Sequence, residues 1–143
     1  MNDLVYPKPT LPPEAGIARP TLIINDEYDV QDLLHALLKH YFSDIRPEEW
    51  NPSYAGTSSR SDFLLKPEKI IIEVKKTRAT LTDREVAEQL IIDKVKYRTH
   101  QDCQTLICFV YDPGRHLANP QAIINDVKEI SEAFTTLIFI SPT

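Results

Sequence analysis

RSDFLLKPEKIIIEVKK, residues 60–76, is the stretch whose reading decides the fold. Lys66-Pro67-Glu68 is a turn signal between two apolar runs, so the segment predicts an antiparallel hairpin. If 66–69 form a four-residue loop, Leu65 pairs with Ile70, and counting outward sets Asp62 opposite Glu73. Strand alternation sends Lys75 to the same side as Glu73, and sends Ile70, Ile72 and Val74 to the other side with Phe63 and Leu65. One face therefore carries Asp, Glu and Lys. Two carboxylates directly across a strand pair repel, and a cation between them relieves the cost. Two carboxylate oxygens, a strand carbonyl at Val74 and waters make the hard-oxygen set that suits magnesium when it also meets phosphate. An adjacent Lys can orient or deprotonate a water, or neutralise charge building on phosphorus. The plain alternative is an exposed hairpin in which Lys75 pairs with Glu73 or Asp62. Against it, Ile70-Ile71-Ile72 runs straight into Glu73-Val74-Lys75-Lys76, which puts charged groups at the end of a buried strand, where sites gather.

Working outward, Val30, Leu34, Leu37 and Tyr41, flanked by Leu33 and Leu38, follow the helical period and predict a core helix from Asp26 to about Ser43. Trp50 to Tyr54, Arg60 to Leu65 and Lys69 to Lys75 predict three strands in an antiparallel meander. Thr82 with Glu85 three residues later is a capping box, and Val86, Leu90, Ile91 and Val95 carry the helix to about Arg98. Thr105 to Tyr111 is an almost unbroken apolar run, as for a strand covered on both faces, and Asp112-Pro113-Gly114 ends it. Asn119 as cap with Pro120 at the first helical position opens a third helix, with Ile123, Val127, Ile130 and Phe134 on one face. A last strand runs from Thr136 to Ile140. The order α-β-β-β-α-β-α-β predicts an α/β fold: a mixed central sheet flanked by helices, with a C-terminal helix and strand added to the core.

The 143 residues carry 42% hydrophobic and 26% charged side chains, enough apolar material for one core and too little chain for two. Five of the eleven prolines (Pro7, Pro9, Pro12, Pro13, Pro20) lie in residues 1–24, which read as an extended arm or linker ahead of a domain at 25–143. The apolar runs fall far short of the roughly 20 residues that cross a bilayer. The first residues lack the basic and apolar regions of a secretory signal, so a cytoplasmic location is expected. Cys103 and Cys108 are too few for a disulfide framework, and with His100 they lack a fourth ligand for structural zinc. Residues 60–98 hold ten Lys or Arg against seven Asp or Glu, a local +3 in a chain of net −5, so the remainder carries −8. A polyanion would be met locally.

Ser61-Asp62, then Glu73-Val74-Lys75, within an α-β-β-β-α-β order resembles the PD-(D/E)xK nuclease superfamily, with Ser61 standing where the superfamily is named for proline. Asp26 to Leu34, Tyr54-Ala55-Gly56 and Ser59 to Leu64 are similar to nuclease domains of bacterial restriction and defence proteins. The resemblance spans residues 26 to about 112. It implies a restriction-endonuclease-like fold, metal binding by Asp62 and Glu73, and Lys75 as the catalytic lysine. It further implies a phosphodiester hydrolase that takes magnesium, with manganese as substitute, and cleaves nucleic acid, DNA before RNA, in restriction or antiviral defence. A nuclease-like module that binds nucleic acid or a protein partner without cleaving is the alternative, and a structural effector domain of a larger defence protein a third. In such nucleases an acid on the first helix often reaches the metal; Glu27 is favoured here over Asp29 and Asp26, each of which could equally stabilise the helix N-terminus. Gln89, Asp93 and Tyr97 recur every four residues, a line similar to the Gln and Tyr pair of some nuclease subgroups but interrupted by Asp93. Gln89 would hold a water or a phosphate, or be a solvated edge. Arg60, Lys76, Arg78 and Arg84 could bind phosphates or form a solvated basic face. His35, His40 and His116 have no matching nucleophile and read as structural or solvated. A double-strand break calls for two sites, which favours a homodimer.

Overall fold

The computed structural model describes residues 22–47, 50–54, 57–60 and 63–142, with backbone alone for 47, 50–54 and 57–60. In chain order the elements are α1 (Glu27–Leu38), β1 (Arg46–Pro47), β2 (Trp50–Tyr54), β3 (Thr57–Arg60), β4 (Phe63–Leu65), β5 (Ile70–Lys76), α2 (Asp83–Arg98), β6 (Thr105–Tyr111), α3 (Pro120–Val127), β7 (Glu129–Ile130) and β8 (Thr135–Ser141). Six strands form one sheet in the order β1-β4-β5-β6-β8-β7, and β2 with β3 forms a separate ribbon. β5, β6 and β8 run parallel, joined by crossovers through α2 and α3, while β1, β4 and β7 pair antiparallel. The expected mixed sheet with helices on its faces is present.

The hairpin has the register expected of it: Leu65 opposite Ile70, Leu64 opposite Ile71, Phe63 opposite Ile72. Lys69, at φ 57, closes the turn and its N–H donates to the Lys66 carbonyl at 3.2 Å. Both faces of this hairpin are buried, one against each half of the core. Phe63, Leu65, Ile72 and Val74 pack with Val30 of α1, and Leu64 and Ile71 pack with Val86, Leu90 and Tyr97 of α2 and Ile123 and Val127 of α3. Fully burying each such side chain stabilises by about 1.5–3 kcal/mol before entropy is counted.

Each helix start is closed by side chains. Asp26 caps α1 by accepting from Asp29 N–H at 3.0 Å, and the Asp29 carboxylate accepts in return from Asn25 and Asp26 N–H. Thr82 and Glu85 form the expected capping box of α2. Asn119 caps α3, and Asp83 of α2 also accepts the Ala118 and Asn119 N–H groups at 2.9 and 2.7 Å, which pins the start of α3 to the start of α2. Each cap is worth about 1 kcal/mol.

Five details depart from the sequence expectations. α1 ends at Leu38, and Leu37 and Tyr41 are exposed; the inward stripe is Val30, Leu33, Leu34 and Leu38. The Arg60 to Leu65 strand is two strands, and the meander is a hairpin plus the separate β2-β3 ribbon. On α2, Ile91 and Val95 face outward while Asp93 and Tyr97 turn in. α3 stops at Val127 because Lys128 leaves the helical region (ψ 137); Ile130 therefore lies exposed in β7, and Phe134 is buried in the turn before β8. β6 is fully buried on the α2 face and only half-buried on the α1 face, where one helix has to cover the strands.

Candidate active site

The site lies where β5 changes from apolar to charged. Val74 is buried on the α1 side, and Glu73 and Lys75 project from the α2 side, as alternation requires. Glu73 is 7% exposed and accepts a hydrogen bond at Oε1 from the hydroxyl of Tyr97, itself fully buried. The Tyr97 oxygen in turn accepts from Lys96 Nζ at 2.9 Å. Lys75 Nζ lies 2.8 Å from Asp93 Oδ2, with both side chains mostly shielded from solvent. Helix and strand spacing explain why one helix serves both residues: two residues of strand advance about 6.6 Å and four of helix about 6 Å. Since β5 and α2 run in opposite senses in a crossover, Tyr97 meets Glu73 and Asp93 meets Lys75.

A third carboxylate arrives from α1. Glu27 Oε2 accepts the backbone N–H of Lys76 at 3.2 Å, at the same end of β5. Asp26 and Asp29 are engaged with each other in the capping box, so of the three acids weighed on α1 it is Glu27 that reaches the strand. Burial alone would push the Lys75 ammonium below its ordinary pKa, but Asp93, Glu73 and Glu27 together outweigh it and hold the pKa above the usual lysine value. Cys108, opposite Glu73 on β6, is fully buried; desolvation, then the Asp93 and Glu73 carboxylates, push its thiol well up, so it stays neutral.

Asp62 lies outside the described residues; the described pairs of the hairpin carry the register up to Phe63 and Ile72. Arg60 ends β3 opposite Trp50, with backbone alone described. Lys76 is half-buried, Arg78 is exposed before α2, and Gln89 is exposed on the helix line whose next two members turn into the site. Arg84 is exposed and paired with Glu88 at 2.8 Å. His35 packs on the Phe63 ring, while His40 and His116 are exposed, in line with structural or solvated roles. Asp93, read in the sequence as an interruption, is a member of the cluster. Its signal was the four-residue spacing it shares with Tyr97.

Behind the site, Asp112 binds the strand ends together. Its carboxylate accepts from Thr77 Oγ1 at 2.5 Å and from the His116 and Leu117 N–H groups at 2.9 and 3.1 Å, while its own N–H donates to Ser141 O at 2.6 Å. Sequence patterning gave no sign of this residue beyond a turn.

A mixed sheet whose central strand ends in Glu-x-Lys, flanked by a helix that holds both side chains, defines the PD-(D/E)xK class with its restriction-endonuclease-like fold. The family model described as REase_DpnII-MboI matches residues 10–143, and the chain belongs to this DpnII-MboI restriction endonuclease family. No curated protein and no solved structure matches it. Membership supports an endonuclease acting on DNA in restriction.

Proposed function

We propose that this chain is a divalent-metal-dependent DNA endonuclease that hydrolyses phosphodiester bonds, with magnesium as the ordinary ion and manganese as substitute. The observation that carries the proposal is the pair Glu73 and Lys75 on one side of β5, with Glu27 and Asp93 around the same ammonium. Three carboxylates, Glu27, Glu73 and Asp93, against the ammonium groups of Lys75 and of Lys96, the latter reached through Tyr97, still leave negative charge in excess, which suits a hard dication. Among the described residues no three metal-binding side chains converge to hold an ion alone. Magnesium keeps waters and substrate oxygens and takes only one or two carboxylates from the protein. Glu73, with Asp62 and the Val74 carbonyl, would hold it, with Glu27 at the margin. When bound, it supplies Lewis-acid polarisation of the phosphate and an acidified water.

The chain's own groups do the rest. Tyr97 fixes one Glu73 oxygen, leaving the carboxylate a single orientation. Lys75, kept protonated by its neighbours, offsets negative charge as it grows on phosphorus and orients the attacking water. Arg60, Lys76, Arg78 and Arg84 would meet backbone phosphates and Gln89 a phosphate or water; Arg84 gives up Glu88 to do so, an exposed pair that costs little to break. A homodimer would bring two such sites to the two strands, and the setting is restriction or antiviral defence.

The test is nicking and linearisation of supercoiled plasmid with magnesium, with manganese, and with chelator. Cleavage that needs the metal and disappears in Glu73→Gln is the expected result. Metal-independent cleavage would overturn the metal dependence, and no cleavage with DNA binding intact would turn the assignment to a binding module.

A further inference from the structure

We infer that Asp93 is a positioning residue for the reaction, fixing the Lys75 ammonium on the side of β5 that it shares with Glu73; this rests on the nuclease reading above. Asp93 Oδ2 is shut off from solvent and has Lys75 Nζ as its ion-pair partner at 2.8 Å. The residue sits one helical turn before Tyr97, which holds Glu73, so a single rigid helix sets both reacting groups of β5. A lysine has four rotatable bonds in its stem, and an ammonium with no fixed partner samples many positions. Reaction rates fall steeply when a charged group is misplaced by about 1 Å. Asp93 removes that freedom and keeps Nζ on the α2 side of the strand. Glu27 and Glu73 also attract Lys75, but neither has an ion pair with it within 4 Å among the described residues, so Asp93 fixes its place.

The position invites a different residue if structure alone were served. α2 buries Val86, Leu90 and Tyr97 on this face, and a Leu at 93 would continue the apolar stripe. A carboxylate there gives up apolar burial and desolvates a charge, a cost that buried ion pairs seldom recover in stability. Its return is the placement of Lys75.

The experiment compares the full chain with Asp93→Asn, Asp93→Glu and Asp93→Ala in magnesium-dependent cleavage of an oligonucleotide duplex, well below the melting temperature. Removal of a group that orients a reacting residue at a metal site costs about 10- to 100-fold in activity. Asp93→Asn, which keeps shape and loses charge, should lower kcat by that factor with KM within about twofold, and Asp93→Glu should recover part of the loss. A second readout needs neither metal nor DNA: urea denaturation of Asp93→Asn, Lys75→Met and the double variant. Non-additive midpoint shifts are expected, since each single change removes the same pair. An Asp93→Asn enzyme with unchanged kcat, a loss carried by KM, or an additive cycle overturns the inference. A parent protein that does not cleave overturns the nuclease reading itself, a result that a normal denaturation cycle would keep separate from the Asp93–Lys75 pairing.

Discussion

Tyr97 is fully buried, yet its hydroxyl has a job outside packing, because it is the hydrogen-bond donor to the Glu73 carboxylate. Tyr97→Phe keeps the ring in place and removes that donor. A loss of about 1–2 kcal/mol in denaturant midpoint analysis is expected, together with weaker magnesium binding by calorimetry. Lys75→Ala should abolish cleavage with DNA binding by filter or fluorescence assay nearly unchanged, whereas Lys76→Ala, on the other side of the strand, should leave turnover within a few-fold. Equal loss of turnover in both would mean that the strand faces are misassigned. Glu73 and Lys75 were legible because period-two alternation is fixed by backbone geometry. Asp93 and Tyr97 were visible only as a spacing. What hid their role is that apolar periodicity favoured Ile91 and Val95 as core, and hydrophobicity says nothing about a carboxylate drawn inward by an ammonium across the gap.

At the level of elements, the ends of β5, β6 and β8 are tied by Asp112. Burial alone would push its carboxyl up, but the hydrogen bonds from Thr77, His116 and Leu117 hold it below the usual carboxylate range. A folded pKa below the unfolded value adds stability at pH above about 3.9, and that contribution is lost as pH falls through the lowered folded value. Urea denaturation from pH 7 down to pH 3 should show a falling limb in the parent that flattens in Asp112→Asn. Asp112→Ala leaves the buried Leu117 N–H without its acceptor and removes the bonds from Thr77 and His116, and should cost about 2–3 kcal/mol at pH 7. The helix starts were readable from Thr82 with Glu85 and from Asn119-Pro120, since caps are local chemistry. The end of α3 was not. Ile130 and Phe134 keep the helical spacing, and only the pairing of Glu129 and Ile130 with β8 shows that the chain has already changed course.

Across the whole molecule, residues 60–98 carry a net +3 while the remainder of the chain carries −8. DNA contacts are therefore few. If three or four phosphates are neutralised, each contributes about 0.9 to the logarithmic salt dependence, and a slope of roughly −3 to −4 is expected in binding titrations with Lys75→Ala protein. An affinity indifferent to salt would exclude phosphate contact as its source. The order of the helices and longer strands and the mixed sheet were predictable from the alternation of strand and helix patterns; the short strands β1 and β7 and the separate β2-β3 ribbon were not, because a strand pattern names no partner.

The sheet also sets an order in time. Leu65 and Ile70 meet across a turn of four residues, whereas Ile70 meets Thr105 and Thr105 meets Thr135 only after long excursions of chain. Closing a short loop costs little entropy and happens in microseconds, while the parallel pairs wait for α2 and α3 to bring distant strands together. On this argument the strand bearing Glu73 and Lys75 pairs within its hairpin before α2 docks to aim them. In stopped-flow refolding, Leu64→Ala in the hairpin should slow folding, and Val127→Ala at the end of α3 should act mainly by hastening unfolding. Catalytic competence would then appear last, with the docking of α2 onto a sheet already begun.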